Sequence, residues 1–360
     1  MLETYSPSGS EHDLSILLLN ELSKYGFTSH KDKAGNVIGH AGQEGPKILL
    51  CGHMDTVKGE LPVFEKDGYI HGRGAVDAKS SLAAMIVGCA KAIHNHVPFQ
   101  ATIAGVVEEE TTSKGIISIT DDKTAYDLAV FGEPSGVSNI IIGYKGSVRL
   151  EITAQSLGGH SSSPWLSRNS LEDAFDFWEC LRDTLLENSA SSKFESITGA
   201  LVSASSTPGG NSIPTHAVLG IDLRIPPRIS PRELIQKLER FRASYSERSK
   251  AQIILQFGDE TKAFLGADDS LGVRAFRYAI RKTTRSNVSL VKKTGTSDMN
   301  ILAQFSQASM IAYGPGDSSL DHTKLEKVSI SEYIDSIEIY STAIEKFASL
   351  ATRSLETANA

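Results

Sequence analysis

The sequence has few cysteines and no apolar segment long enough to cross a membrane. Three cysteines, Cys51, Cys89 and Cys180, occur among 360 residues, with no short paired spacing. This pattern argues against a disulfide framework and against a thiolate zinc site, and it is typical of a cytoplasmic protein. No apolar run approaches the ~20 residues that span a bilayer. Acidic residues interrupt the N-terminal segment, so we expect no signal peptide.

Excess positive charge and several familiar catalytic motifs are also missing. The net charge of −7 disfavours binding to nucleic acid. The chain contains no Gly-x-Ser-x-Gly elbow, no phosphate-binding P-loop and no His-Glu-x-x-His sequence. Hydrophobic residues make up 40% and charged residues 22% of the chain, which is ordinary for a globular enzyme.

The stretch 49–79 carries the first candidate site residues. The apolar run that ends at Cys51 predicts a buried strand, and His53 and Asp55 follow where that strand should end. A metal could bind the imidazole of His53 while the Asp55 carboxylate fixes its tautomer. Asp77 precedes a predicted helix and could be only its N-cap, just as His53 and Asp55 could be only a surface pair. A dinucleotide-binding loop is disfavoured because Asp77 stands where that motif needs its third glycine.

Strands and helices alternate on both sides of this stretch, which predicts an α/β fold with a mixed sheet and helices on both faces. Two further predicted strands end in acidic residues, the triplet 108–110 and Glu133. Another is followed by a Gly-Pro-Gly turn and His322, before a closing helix predicted over 329–347. Polar groups at successive strand ends predict one shared site.

Residues 146–258 follow a different pattern. Their predicted elements run in the order βαββαβ, which is the ferredoxin-like arrangement. We therefore predict that this domain is inserted into a catalytic domain formed by residues 1–145 and 259–360.

The strand-end groups favour a site for two metal ions. Two imidazoles and several carboxylates without thiolates suit zinc, cobalt or manganese. So many carboxylates could share a pocket as anions only if cations neutralised them. Two divalent ions about 3.5–4 Å apart, bridged by a carboxylate and a water, would do so and would acidify that water. One remaining carboxylate would act as the general base. The groups collected here are His53, Asp55, Asp77, Glu109, Glu110, Glu133 and His322.

Several motifs together resemble those of the dinuclear zinc exopeptidase and deacylase family, which includes carboxypeptidase G, acetylornithine deacetylase, succinyl-diaminopimelate desuccinylase and aminoacylase. The resemblance covers nearly the whole chain. The motifs are Gly52-His53-Met54-Asp55-Thr56-Val57, Gly72 to Lys79, Glu109-Glu110 with Ser113 and Gly115, Gly132-Glu133-Pro134, Gly158 to Ser162, and His322.

The resemblance implies a role for each residue. His53 and Glu133 would bind one metal ion and Glu110 and His322 the other, with Asp77 bridging both. Glu109 would be the base, Asp55 would orient His53, and the spacing to Ser113 selects Glu109 and Glu110 from the triplet. The inserted domain would be a lid and dimerisation domain, whose His160 reaches the partner's active site as an oxyanion donor. The implied substrate binders are Lys145, Asn211, Arg224, Thr296 and Ser297.

The resemblance implies the reaction, hydrolysis of a linear amide, but it does not specify the substrate. The N-terminal motif Tyr5 to Glu11 and the motif Tyr144-Lys145-Gly146 look most like the lysine and arginine biosynthesis branch. Members of that branch release lysine or ornithine from the terminal glutamate of an acidic amino-group carrier protein. An acetylornithine or acetyllysine deacetylase and a general aminoacylase or dipeptidase remain alternatives, and a non-catalytic binding module is disfavoured because no ligand is missing.

Two basic stretches in this acidic chain could steer such a carrier, although solvated helix faces would look the same. They comprise Arg224, Arg228, Arg232, Lys237, Arg240 and Arg242 on the lid, and Arg274, Arg277, Arg281, Lys282, Arg285, Lys292 and Lys293 on the main domain.

Overall fold

The computed structural model describes residues 1–186, 192–207 and 210–358, with side chains described as far as residue 353. The described chain forms two compact units. Unit 1 comprises Met1–Gly143, Gly266–Lys292 and Ser297–Ala360, and unit 2 comprises Tyr144–Leu265 and Lys293–Thr296.

The helices are α1 (His12–Lys24), α2 (Lys79–His94), α3 (Lys114–Asp121), α4 (Ser170–Leu185), α5 (Pro231–Ser249), α6 (Leu271–Thr284), α7 (Asp298–Leu302) and α8 (Ile330–Ala358), with 3-10 turns at Pro164–Leu166 and Ser318–Leu320. The strands are β1 (Thr28–Lys31), β2 (Val37–Ala41), β3 (Lys47–His53), β4 (Phe64–Lys66), β5 (Tyr69–His71), β6 (Gln100–Val106), β7 (Leu128–Phe131), β8 (Asn139–Tyr144), β9 (Gly146–Gln155), β10 (Gly159–His160), β11 (Thr198–Ser206), β12 (Ser212–Ile213), β13 (His216–Ile225), β14 (Gln252–Thr261), β15 (Phe264–Leu265), β16 (Ser289–Lys293), β17 (Ser309–Ala312) and β18 (Lys327–Ser329).

Unit 1 is built on a mixed sheet, which confirms the predicted α/β class. Its strands run in the order β1-β2-β6-β3-β7-β17-β8, and β16 also pairs with β8. The four central strands β6, β3, β7 and β17 are parallel, and antiparallel strands flank them. Helices α2 and α6 both pack against α8. Strand β3 is buried over 48–53 because it lies between two parallel neighbours.

Parallel pairing brings the carboxyl ends of the central strands to one edge of the sheet. His53 ends β3, the acidic triplet 108–110 follows β6, Glu133 follows β7, and His322 lies in the segment after β17. Ligand sites of open α/β sheets form at this edge. The fold therefore collects the candidate residues at one place in unit 1.

Unit 2 has the βαββαβ order expected from the sequence. Its four main strands form an antiparallel sheet in the order β11-β13-β9-β14, and α4 and α5 pack against it. Buried and partly exposed residues alternate along β13, as they do in a strand with one covered face. Strand β14 continues to Thr261, past the predicted domain boundary at residue 258, and a Cβ at Gly146 would clash with Thr261.

No helix in the described part of the chain is both long and apolar enough to cross a membrane.

Candidate metal centre

The ring of His53 is held at both nitrogens, by Asp55 at Nδ1 and by Asp77 at Nε2. Its Nδ1 donates a hydrogen bond to the carbonyl oxygen of Asp55 at 2.8 Å, whereas the nearer Asp55 carboxylate oxygen lies 3.6 Å away. A carbonyl can only accept, so the Nδ1 proton is fixed and the other ring nitrogen, Nε2, is directed at Asp77. His53 itself is almost fully buried.

Asp77 lies between the two histidines. One of its carboxylate oxygens is 3.0 Å from Nε2 of His53, and the other is 3.0 Å from Nε2 of His322. The same nitrogen of His322 is 3.0 Å from a carboxylate oxygen of Glu110. The α2 N-cap is Ala78 and it has no side-chain cap bond, so Asp77 is not merely a helix cap.

Two groups of ligand atoms follow, and both include Asp77. His53, Asp77 and Glu133 form one group, and Asp77, Glu110 and His322 form the other, with the ligand atoms of each group within 4.8 Å of one another. Each group could hold one metal ion, and the shared carboxylate would bridge the two ions. No thiolate takes part, because the nearby Cys51 is buried and burial raises the pKa of its thiol.

The Asp55 carboxylate organises the acidic turn after β6. One oxygen accepts the backbone N–H of Glu109 at 3.0 Å, and the other accepts that of Glu110 at 3.1 Å and the Ser8 hydroxyl at 2.7 Å. Glu108 has a φ of +55° and its carboxylate pairs with Thr112 and Lys114. The turn therefore directs Glu108 away from the ligand groups.

The carboxylates around the site repel one another. Burial, with the negative charges of Glu133 and Asp298, raises the pKa of Glu109 well above its usual value. Burial and the charge of Asp77 raise the pKa of Glu133 in the same way. Burial raises the pKa of Asp298 to about 8, and neither carboxylate oxygen of this residue has a hydrogen-bond partner among the described residues.

The histidines show the opposite behaviour. Burial alone would lower the pKa of His53, but hydrogen bonds with Asp55 and Asp77 raise it well above its usual value. Hydrogen bonds with Asp77 and Glu110 raise the pKa of His322 to about 10. The carboxylates thus attract positive charge to both imidazoles. Divalent cations would compensate these buried carboxylates, so the residues fit a pair of metal ions.

Glu109 differs from the ligands in its surroundings. Its carboxylate makes no hydrogen bond or ion pair with any described residue, although its main chain is held by Asp55. A partly buried carboxylate without a partner beside two ligand groups is available for proton transfer.

Unit 2 contains the predicted substrate residues Arg224, Thr296 and Asn211 and the predicted oxyanion donor His160. Arg224 on β13 forms an ion pair with Asp222 at 2.8 Å and donates to the Thr296 hydroxyl at 3.2 Å. Arg224 and Asp222 line a cavity of about 380 Å³ with residues 198–200 and 294–295. On the short strand pair of unit 2, His160 is opposite Ser212, and the Ser161 N–H donates to the Asn211 carbonyl at 3.0 Å.

His160 is exposed, and its ring has a defined proton position. Its Nδ1 accepts the backbone N–H of Ser162 at 3.2 Å. The neutral ring therefore carries its proton on Nε2, which leaves a donor available.

Ser297 and Lys145 contact mainly their own units. Ser297 caps α7 in unit 1, and its hydroxyl accepts the Met299 N–H at 3.3 Å. Lys145 is fully buried in unit 2, where Nζ donates to the carbonyls of Lys193 and Ser196 and to the Thr198 hydroxyl at 2.7–3.0 Å. These bonds favour a structural role for Lys145 over the predicted contact with substrate.

Known proteins with similar sequences are named as hydrolases. The sequence profile of "Peptidase family M20/M25/M40" matches residues 49–346. A putative LysW-lysine/LysW-ornithine hydrolase from Pyrococcus furiosus is 34% identical over 97% of this chain and 95% of its own length. The LysW-lysine hydrolase of Deinococcus radiodurans is 30% identical over 95% of this chain and 93% of its own length.

A solved structure shows a similar fold. Aminopeptidase PepT from Bacillus cereus superposes with a TM-score of 0.81 at 18% identity, and the match covers 96% of each chain.

Proposed function

This chain belongs to peptidase family M20/M25/M40, and we propose that it releases lysine or ornithine from the terminal glutamate of an amino-group carrier protein. Hydrolysis is supported by the two ligand groups that share Asp77 and by Glu109, whose carboxylate lies beside them without a partner. The carrier part is supported by the names of relatives that are 30–34% identical over nearly the full chain.

The proposed metal ions are two Zn²⁺, with Co²⁺ as the alternative. Two imidazoles and three carboxylates form a donor set that suits either ion. His53 and Glu133 would hold one ion, Glu110 and His322 the other, and Asp77 both. When bound, such a pair supplies Lewis acidity, which polarises the scissile carbonyl and lowers the pKa of an attacking water.

Glu109 takes the proton in this mechanism. Its carboxylate accepts a proton from the attacking water and then donates it to the leaving amine nitrogen. Asp55 holds the Glu109 main chain, so the carboxylate stays beside the ligand groups during both transfers. In the proposed homodimer, His160 donates its Nε2 proton as a hydrogen bond to the oxyanion that develops on the carbonyl in the partner subunit's active site.

Arg224 binds the free carboxylate of the departing lysine or ornithine. A guanidinium can donate two parallel hydrogen bonds to a carboxylate, and the Asp222 and Thr296 contacts already hold this one at a cavity. Asn211 and Ser297 complete the proposed substrate set.

The carrier docks on the exposed face of α6. Arg274, Arg277, Arg281 and Lys282 line a surface depression of about 450 Å³ with Tyr278, and none of the four makes an ion pair with a described residue. Unpaired cations on one helix face repel one another, and an acidic protein would relieve that repulsion. In the lid stretch, by contrast, Arg224 pairs with Asp222 and Arg242 with Glu239.

The protein acts as a homodimer through unit 2, in the cytoplasm. Strand β11 is an edge strand of the unit 2 sheet, and it exposes Leu201 and Val202. An exposed apolar edge strand is a favoured contact between copies of a chain. The three cysteines are free thiols, which suits a reducing compartment.

The test is a hydrolysis panel read by mass spectrometry, with zinc-loaded wild type and the Glu109→Gln variant. The substrates are carrier-linked lysine, carrier-linked ornithine, acetylornithine, acetyllysine and dipeptides. Selective release from the carrier, absent in the variant, supports the proposal. Preference for acetylated amino acids or dipeptides would leave the mechanism standing and refute the carrier as substrate.

A further inference from the structure

A buried ion pair lies directly behind the shared ligand Asp77. Glu326 and Arg73 are both buried, and their side chains meet at 2.8 Å. The other carboxylate oxygen of Glu326 accepts the backbone N–H groups of Val76 and Asp77 at 3.0 and 3.1 Å. One side chain therefore fixes the main chain at the residue whose carboxylate faces both histidines.

The same pair joins two distant segments of the chain. Arg73 donates to the carbonyl of Gly59 at 2.9 Å and to that of Thr323, next to His322, at 3.1 Å. The main-chain N–H of Gly72 also donates to the Glu326 carbonyl at 3.3 Å. Strand β5, which leads into the Asp77 segment, pairs with β18, which follows Glu326. The segments that carry Asp77 and His322 are thus joined at several points.

The two ligand groups depend on this pair to different degrees. His53 ends β3 and Glu133 follows β7, so both are held by the parallel sheet. His322 is half exposed, has a φ of +61° and lies in the irregular segment between β17 and β18. The side-chain bonds of Arg73 and Glu326 join this segment to the Asp77 segment closest to the two ligands.

We infer that Glu326, together with Arg73, is a positioning residue that sets the affinity of the ion held by Asp77, Glu110 and His322. This inference rests on the proposed two-ion centre and adds a determinant that touches neither ion nor substrate. Residues that hold metal ligands in place typically account for about 10–100-fold in affinity. Removal of the Glu326 acceptor should weaken binding of this ion, called the second ion here. The first ion, held by His53, Asp77 and Glu133, should stay bound.

The experiment measures zinc binding to the metal-stripped full chain by competition with a chromophoric chelator, without substrate. Glu326→Gln removes the charge that faces Arg73. Glu326→Asp keeps that charge but shortens the side chain, so that it no longer reaches both N–H groups. The matched control is Asp173→Asn, which breaks the partly buried pair between Asp173 and Arg168 in unit 2. Circular dichroism identifies the variants that fold.

We expect each folded Glu326 variant to bind its second ion about tenfold or more weakly than wild type, with the first ion within about twofold. The control should lower the unfolding temperature without changing either affinity. Wild-type affinity for both ions in a folded Glu326→Asp variant would overturn the inference and leave the proposed function intact. A wild type that binds fewer than two ions would overturn both.

Discussion

The Glu109→Gln substitution separates catalysis from folding more cleanly than any other change at the site. Glutamine has the same shape as glutamate, and the Glu109 carboxylate makes no hydrogen bond or ion pair that the change would break. Its backbone N–H would still be held by Asp55 at 3.0 Å. The substitution removes only a charge and the capacity to carry a proton.

The magnitude follows from these two losses. A positioned general base contributes about 10²–10⁴-fold to the rate, so kcat should fall by that factor, which corresponds to about 2.7–5.4 kcal/mol in activation free energy. KM should change little because Glu109 is not a proposed substrate ligand. Burial, with the charges of Glu133 and Asp298, raises the pKa of Glu109, so removal of the anion should leave the unfolding temperature of the metal-free protein unchanged or raise it.

The assay is steady-state release of lysine from the carrier-linked substrate, with zinc content measured on the same samples. Thermal unfolding of the metal-free proteins gives the stability comparison. A kcat loss below tenfold with both ions bound would refute Glu109 as the base. A large fall in unfolding temperature would show that the carboxylate has a structural partner, contrary to the geometry.

Four further changes test separate parts of the account. In the metal-free protein, the pKa of His322 is raised to about 10, so this residue contributes stability that is fully present below its unfolded pKa of about 6.5 and is lost as the pH rises through 10. The unfolding temperature should therefore fall between these two pH values. His322→Asn should make that fall smaller. Arg224→Lys keeps a charge but loses the two-pronged donor, so KM should rise about tenfold while kcat holds; a fall in kcat alone would argue against a ground-state contact. Lys145→Met leaves buried acceptors unsatisfied and should cost about 1–3 kcal/mol in urea unfolding, with KM unchanged in the folded variant; a specific KM defect would restore the predicted substrate contact. The double variant Arg274→Glu/Arg281→Glu should lower kcat/KM for the carrier-linked substrate and weaken its salt dependence, and an equal effect on acetyllysine would contradict the docking face.

Sequence reasoning predicted the fold because each central strand is a continuous apolar run bounded by polar residues. The strand predicted before Glu133 is β7, and it ends at Phe131 because Gly132 and Glu133 end the apolar run abruptly. The closing helix runs to Ala358, beyond the predicted end at residue 347, because no proline or glycine interrupts the segment. The boundary near residue 258 was missed because β14 continues through polar residues to Thr261.

The sequence identified the ligand types at the site but could not give the contacts between them. Asp55 was expected to orient His53 with its carboxylate, which lies 3.6 Å from the His53 ring, but its bonds to the N–H groups of Glu109 and Glu110 were not foreseen. The two partners of such a bond are more than fifty residues apart, so no spacing in the sequence reveals the bond. Glu326 was missed for the same reason, since an isolated acidic residue in a loop does not show that it will be buried against Arg73.

The two-ion hydrolase can be tested by zinc titration of the metal-stripped protein, with lysine release from the carrier-linked substrate as the readout. Because two ligand groups share Asp77, we expect lysine release to rise with added zinc and to reach its plateau at two ions per chain. Full release in excess chelator, or a plateau at one ion, would contradict the two-ion hydrolase.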